Sequence, residues 1–314
     1  MSVRCPFARL LAPTLLWIFA GCELQETTFV EVEDVIVAEA YALVGVPSPD
    51  LGIENRLWVF LGRTVGGSAD LSVRGARVVV RRPDGVRFDL ERVAIENCVS
   101  DRERERPGTC YDAGVSAIAL RPGDELDLDI ELPDGRELQG STRIPGDFRV
   151  EGDLQECSLA PDTPFEVRWT AADGARAYVN ETRIDGLDRT LAAEGITAPD
   201  ELYLLGLSIS ASDTTIVFPG QFGVFDRFDL DQELTVRLQR GLPDGTEAIV
   251  GISATDGNYV NWARGGNFNP SGQVRIPSVR GDGTGVFAST VMRRFGVFVG
   301  SAAPEDVLPS CPGT

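Results

Sequence analysis

The segment Asn258-Tyr259-Val260-Asn261-Trp262-Ala263-Arg264-Gly265-Gly266-Asn267-Phe268-Asn269 gathers aromatic rings, side-chain amides and one guanidinium in a single run. Aromatic faces pack on flat apolar surfaces, while amides and Arg donate directed hydrogen bonds. Tyr259, Asn261, Trp262, Arg264, Asn267 and Phe268 are therefore the candidate contacts for a glycan or a peptide. The plainer reading is a Gly/Asn loop whose aromatics plug one end of a β-sandwich.

A second cluster is acidic. Asp226, Asp229, Asp231 and Glu233 fall within a short stretch, and oxygen-rich groups of this kind suit Ca²⁺. Their spacing is not that of an EF-hand, and the glycine such a loop requires is missing, so an acidic strand edge is the simpler expectation. The run Asp101-Arg102-Glu103-Arg104-Glu105-Arg106 alternates in sign. If extended, it would place its three Arg on one face, suited to an anion; otherwise it is a self-neutralised loop. Gly281-Asp282-Gly283-Thr284-Gly285 has the glycines of a phosphate loop but no Lys and no helical pattern after it. Those glycines are expected to serve a bulge or a tight turn.

Composition narrows the chemistry further. The chain has no His, and every one of its 29 basic residues is Arg. That removes the commonest general base, the commonest metal ligand, Schiff-base chemistry and every triad built on His. Carboxylates are plentiful, yet no pair stands out as a glycosidase acid and base. The expectation is a protein that is not an enzyme and carries no cofactor. A carboxylate-based hydrolase or binder of extracellular glycans is the alternative, and a Ca²⁺-stabilised adhesion module is the third reading. The net charge of −19 repels nucleic acid and anionic headgroups.

The first residues supply an address. Arg4 and Arg9 precede an apolar run, Leu10 to Phe19, too short to span about 30 Å of hydrocarbon and interrupted by Pro13. It reads as a secretory signal over residues 1–21. It ends in Phe19-Ala20-Gly21-Cys22, which resembles the lipobox of bacterial lipoproteins. The resemblance implies a multiply acylated Cys22 as the new N-terminus. One acyl chain would anchor only marginally, so several are needed for stable attachment. Glu23 follows in place of Asp, which by analogy with lipoprotein sorting directs the chain to the outer membrane, facing the periplasm or the cell surface. Residues 22–33 then form a polar, acidic tether.

Of the six Cys, Cys5 leaves with the signal and Cys22 takes lipid. Cys98, Cys110, Cys157 and Cys311 remain, an even number in an oxidising compartment. Three pairings are open to them. Cys98–Cys110, closing a short polar loop, and Cys157–Cys311, tying the second domain's start to the chain end, are expected. A metal site is the rival, opposed by the lack of CxxC spacing and of His.

The remaining pattern is all-β and mostly antiparallel, organised as two β-sandwich-like domains over residues 34–146 and 147–314. Glu125-Leu126-Asp127-Leu128-Asp129-Ile130-Glu131-Leu132 alternates apolar and acidic residues without a break, so one face is buried and the other wet. Pro-Asp-Gly turns at 83–85, 133–135 and 243–245 each follow a run read as a strand: Val78–Arg82, the alternating segment, and Leu234–Leu238. Phe165-Glu166-Val167-Arg168-Trp169, then Gly174 to Val179, resembles the B and C strands of fibronectin type III domains. The second domain is accordingly expected to be fibronectin-III/Ig-like. Arg189 to Glu194, stopped by Gly195, is expected to be a short helical insertion.

Across the mature chain, several segments together resemble the DUF4249 group of bacterial lipoproteins. They are the lipobox Cys22, the early strand Val35–Ala40, Ala76–Val80 running into Pro83-Asp84-Gly85, Leu120-Arg121-Pro122-Gly123, Thr142-Arg143-Ile144-Pro145 and Gly281–Phe287. That group has no assigned reaction. Its members occur among envelope proteins, often beside outer-membrane transport systems. The resemblance thus implies a non-catalytic binding or scaffold module, with an outer-membrane transporter protein or a glycan as partner.

Overall fold

The alternation in the sequence becomes strands wherever a half-buried pleat can use it. The computed structural model describes residues 34–45, 55–64, 72–99, 107–152, 155–208, 210–219, 232–264, 275–303 and 308–312. The lipobox, the 101–106 run and Asp226–Asp231 lie outside them. The strands of the N-terminal half are β1 (Ile36–Gly45), β2 (Arg56–Arg63), β3 (Arg77–Arg81), β4 (Arg87–Val93), β5 (Thr109–Asp112), β6 (Glu125–Glu131) and β7 (Glu137–Arg143). Those of the C-terminal half are β8 (Glu156–Leu159), β9 (Phe165–Arg168), β10 (Ala177–Asp185), β11 (Glu201–Leu207), β12 (Thr215–Phe218), β13 (Glu247–Thr255), β14 (Val279–Gly281) and β15 (Gly283–Val299). Among the described residues three α-helices join them: α1 (Leu187–Leu191), α2 (Gln232–Leu238) and α3 (Gly257–Arg264).

Two of the three Pro-Asp-Gly turns make the hairpins expected of them. β3 pairs with β4 and β6 with β7, both antiparallel. At each turn the chain reverses with a Gly at positive φ, Gly85 at 94° and Gly135 at 86°, where a side chain would be strained. Pro sets the preceding φ, and the Asp carboxylate accepts the backbone N–H two residues on, from Val86 and Arg136 respectively. Hydrogen bonds from Arg82 and from that backbone N–H hold the Asp84 carboxyl down at about 2. In β6, Leu126, Leu128 and Ile130 are buried while Glu125, Asp127 and Glu131 face solvent.

The third turn departs from expectation. Pro243-Asp244-Gly245 leads into β13, but the segment before it is helix α2, not a strand. A strand would bury Leu234, Val236 and Leu238 together. Instead Leu234, Arg237 and Leu238 are buried at helical spacing and Val236 is 47% exposed. The Arg237 guanidinium, nearly out of solvent, decides this. It donates to Glu194 at 2.8 Å and reaches Asp162 at 2.7 Å, contacts that need it on the inner side of a helix. α1, between β10 and β11, is the expected insertion. It runs on through a 3-10 turn to Gly195, whose φ of 74° ends it.

The N-terminal strands close into a ring. The hydrogen-bonded order is β1-β2-β5-β4-β3-β6-β7-β14-β15, and β15 returns to β1 by a parallel register of Ile36 with Gly283 through Gly45 with Met292. Its inward residues are apolar, among them Ile36, Ala38, Ala40, Ala42, Val78, Val80 and Leu138. Its outer face carries ion pairs such as Arg77–Glu131 and Arg81–Asp129. That polarity is the reverse of a lipid-embedded barrel, whose outward band is apolar.

The C-terminal half is a sandwich. One sheet runs β11-β10-β13-β15, with β8 parallel to the far edge of β15; the other is β9 with β12. Trp169 at the end of β9 meets Tyr178 of β10 edge-on at 5.2 Å, and the Tyr178 hydroxyl accepts the Ala172 N–H. Phe165 packs on Phe218 within its own sheet and reaches across to Phe295 of β15 in the other. The fold is therefore all-β and mostly antiparallel, with a sandwich of the expected kind in its second half.

The expected boundary at 146/147 meets a shared strand. β15 runs 17 residues, far beyond the usual five or six. Its first part closes the ring against β1, and its second part pairs with β13 from Thr290 to Phe298. Residues 279–292 thus complete a module read from sequence as ending at 146, and residues 34–314 form one compact unit.

Both expected disulfides are present, Cys98–Cys110 with Cα atoms 5.7 Å apart and Cys157–Cys311 at 4.9 Å. The second sits where the chain end lies along β8. Ser158 N–H donates to the Pro309 carbonyl, and Cys311 N–H donates to that of Ser158. The first closes a loop of sequence separation 12, for which chain entropy gives a stabilisation of about 3 kcal/mol. Replacing Cys98 and Cys110 together by Ala is expected to lower the unfolding free energy by up to about that amount in a denaturant titration. A pair of midpoints that coincide would show that the loop is held by its other contacts.

Candidate functional site

As far as Arg264, the last residue of it described, the aromatic and amide segment is a helix, not a loop. Asp256 starts it: its Oδ1 accepts the Tyr259 N–H at 2.9 Å, the cap that an Asp before a helix provides. Asn258 then fixes the helix to the sheet, its Nδ2 donating to the carbonyls of Ser141 at 2.9 Å and Phe287 at 2.8 Å. The helical turn disperses the candidates. Asn261 and Arg264 point to solvent, and Trp262 is half-buried beneath the guanidinium of Arg275, 4.7 Å from the ring centre. Tyr259 alone turns toward a cavity. Asn267 and Phe268 lie outside the described residues, so the six are not shown to converge.

Of the acidic cluster, only Glu233 is described. It is exposed in the first turn of α2, away from the strand edge expected of it. Among the described residues no group of three or more His, Cys, Asp or Glu side chains could hold a metal ion. The Gly281–Gly285 segment turns tightly from β14 into β15, as expected of a turn rather than a phosphate loop. Here Gly is needed because backbone lies on all sides. A Cβ on Gly281 would sit 2.3 Å from the Glu137 carbonyl oxygen, and one on Gly285 1.9 Å from that of Ala38.

The cavity that Tyr259 faces has a volume of about 420 Å³. It lies on the outer face of the sheet, where the ring wall passes into the sandwich. The pleat explains its composition. In β15 the odd residues Phe287, Val291, Phe295 and Val297 face the core, so Ala288, Thr290, Met292 and Arg294 face outward along the groove. β13 contributes Ser253 and Thr255, β10 contributes Val179 and Glu181, and β1 and β2 contribute Tyr41 and Trp58. These two rings stand 5.5 Å apart, tilted by 31°.

Gly251 has a role at the floor. It lies between Glu181 on β10 and Arg294 on β15, and its missing side chain lets Arg294 cross the strand to within 3.8 Å of the Glu181 carboxylate. Burial pushes the Glu181 carboxyl above its usual range, with Arg294 pulling the other way. Burial, together with the nearby Glu181 charge, pushes the Tyr259 hydroxyl up to about 12. Ser253 is 3% exposed, and its Oγ has no hydrogen-bond partner among the described residues. A buried hydroxyl with no partner costs free energy, and such groups mark places where something else supplies the bond.

Neither the protein-family models nor the curated proteins include a match to the chain. Among solved structures it is similar to the fibronectin(III)-like modules of Clostridium thermocellum CbhA. The identity is 9%, the alignment covers 88% of this chain and 99% of that one, and the TM-score is 0.20. The assignment of a sandwich rests on the strand order and on the Trp169–Tyr178 packing, not on that similarity.

Sequence reasoning missed the groove. Its residues come from five strands far apart in the chain, and no local spacing announces them. The one local signal was Asp256, three residues before Tyr259, which marks a helix start and moves Tyr259 off a loop.

Proposed function

We infer that this chain is a lipid-anchored protein of the cell envelope whose β module binds a partner and does not turn over a substrate. The observation that carries the reading is the cysteine arrangement. All four Cys downstream of Cys22 are joined in two disulfides, the state of an exported protein, and Cys22 stands outside both pairs after an apolar leader. Phe19-Ala20-Gly21-Cys22 supplies the processing pattern, and Glu23 directs the lipidated chain to the outer membrane. The resemblance to the DUF4249 group directs the partner to an outer-membrane transport system. A chain without His or Lys, and with a net charge of −19, fits a protein–protein or neutral-ligand role better than nucleophilic catalysis or nucleic-acid binding.

Membrane fractionation tests the anchor. The native chain is expected in the membrane pellet, labelled by a clickable palmitate analogue. Cys22→Ala is expected in the soluble periplasmic or secreted fraction without label. A Cys22→Ala protein that stays membrane-bound to the same extent would end the lipoprotein reading. Affinity capture of the native chain from detergent-solubilised membranes tests the partner: one stoichiometric outer-membrane protein is expected, and a clean monomer would remove the transport-system part.

A further inference from the structure

The geometry points to the groove between the ring and the sandwich as a binding site for a short, linear, neutral oligosaccharide. Its volume of about 420 Å³ lies within the range of small-ligand sites, about 300–1,000 Å³. From Ala288 to Arg294 it follows seven residues of β15, roughly 20 Å at the rise of a strand. The lining also crosses five strands, about 19 Å at the ordinary strand spacing, so the cavity is a shallow cleft, and a short chain of flat rings laid along it suits it better than a compact ligand.

The lining has both things a sugar needs. Tyr41 and Trp58 line it, packed on each other and with the Arg56 guanidinium 4.8 Å from the Trp58 ring centre, and the ring edges that these contacts leave in the groove meet the C–H faces. Glu181 and Arg294 offer an acceptor and a donor for hydroxyl pairs, and the Ser253 hydroxyl waits at the floor with no partner among the described residues. An extended peptide fits less well. Along the groove β2, β1, β13 and β10 are paired on both sides, and β15 is so from Thr290 to Met292, so among the described residues little strand edge is left to pair with a peptide backbone. Anionic glycans are opposed by the charge of the chain.

This site rests on the binding-module reading and gives that module a ligand class. The test is calorimetric titration of the full-length mature protein in a detergent without a sugar headgroup. The probes are maltotriose, cellotriose and chitotriose, with spermidine as a cationic control. At least one trisaccharide is expected to bind. Ser253→Ala, which removes only the hydroxyl, and Glu181→Gln are each expected to weaken that binding about tenfold with the melting temperature unchanged. Silence from all three saccharides would overturn the proposal. So would native-like affinity in both variants, or heat from spermidine alone. The full chain carrying Cys22→Ala should bind equally well, so a failure of the anchor and a failure of the groove are read separately.

Discussion

Replacing Gly285 by Ala is expected to leave no stably folded protein. Gly285 has a φ of 150°, a conformation that L side chains rarely adopt, at a cost of about 1–3 kcal/mol. Strain is the smaller part. The new Cβ would lie 1.9 Å from the carbonyl oxygen of Ala38, its register partner in β1, and 2.8 Å from that residue's carbonyl carbon. Backbone cannot rotate away as a side-chain end can, so β15 and β1 would have to separate. Among the described residues their parallel pairing is what closes the ring on that side, and the same strand pairs with β13 of the sandwich. A domain holds about 5–15 kcal/mol in total, so losing this join takes most of it. Gly123→Ala is the control. Its φ is 86°, but no atom lies within 4 Å of the added Cβ, so a loss of only about 1 kcal/mol is expected. Circular dichroism and urea titration of the two variants separate the cases. A Gly285→Ala protein melting within a few degrees of the native chain would show that the ring does not close as described.

Gly285 also shows how much could be read from the chain and how much could not. That its segment is a turn follows from the glycines and the missing Lys. That the turn is wedged between β1 and β7 does not, because parallel pairing of Ile36 with Gly283 joins positions almost at opposite ends of the sequence. Local signals served well where the structure is local. Pro-Asp-Gly turns made two hairpins, alternation placed β6, and the pairing of the Cys followed from parity and loop length. They failed where two periods compete. Leu234, Val236 and Leu238 satisfy a strand, while Leu234 and Leu238 equally satisfy a helix, and only the partners of Arg237 break the tie. The groove was illegible for the same reason as the ring: register, not spacing, brings Glu181, Ser253 and Arg294 to one face.

Asp256 is where the helix and both halves of the sheet are tied, and Asp256→Ala is expected to cost about 2–4 kcal/mol. The residue is 5% exposed, and each carboxylate oxygen is used. Oδ1 caps α3 through the Tyr259 N–H, a bond of about 1 kcal/mol. Oδ2 accepts the Thr142 hydroxyl at 2.6 Å, from the C-terminal end of the ring's β7, and that hydroxyl lies 2.8 Å from the Ser289 hydroxyl of β15. Removing the carboxylate strands the buried Thr142 donor, which adds about 1–3 kcal/mol. Burial also pushes the Asp256 carboxyl above its usual range, against the hydrogen bonds that pull it down. The sign follows. With the folded value raised, this group's contribution is full below its unfolded value near 4, and is lost as pH rises through the folded value. Asp256→Asn keeps a neutral acceptor at the cap, so it should cost less than Ala and remove that fall. Urea midpoints of the native chain, Asp256→Asn and Asp256→Ala across pH 4 to 7 measure both effects. A native profile parallel to that of Asp256→Asn would show that the carboxyl titrates in the fold as it does in the unfolded chain. Equal losses for Asn and Ala would show that the charge, not the hydrogen bonds, secures α3 and with it the position of Tyr259 over the groove.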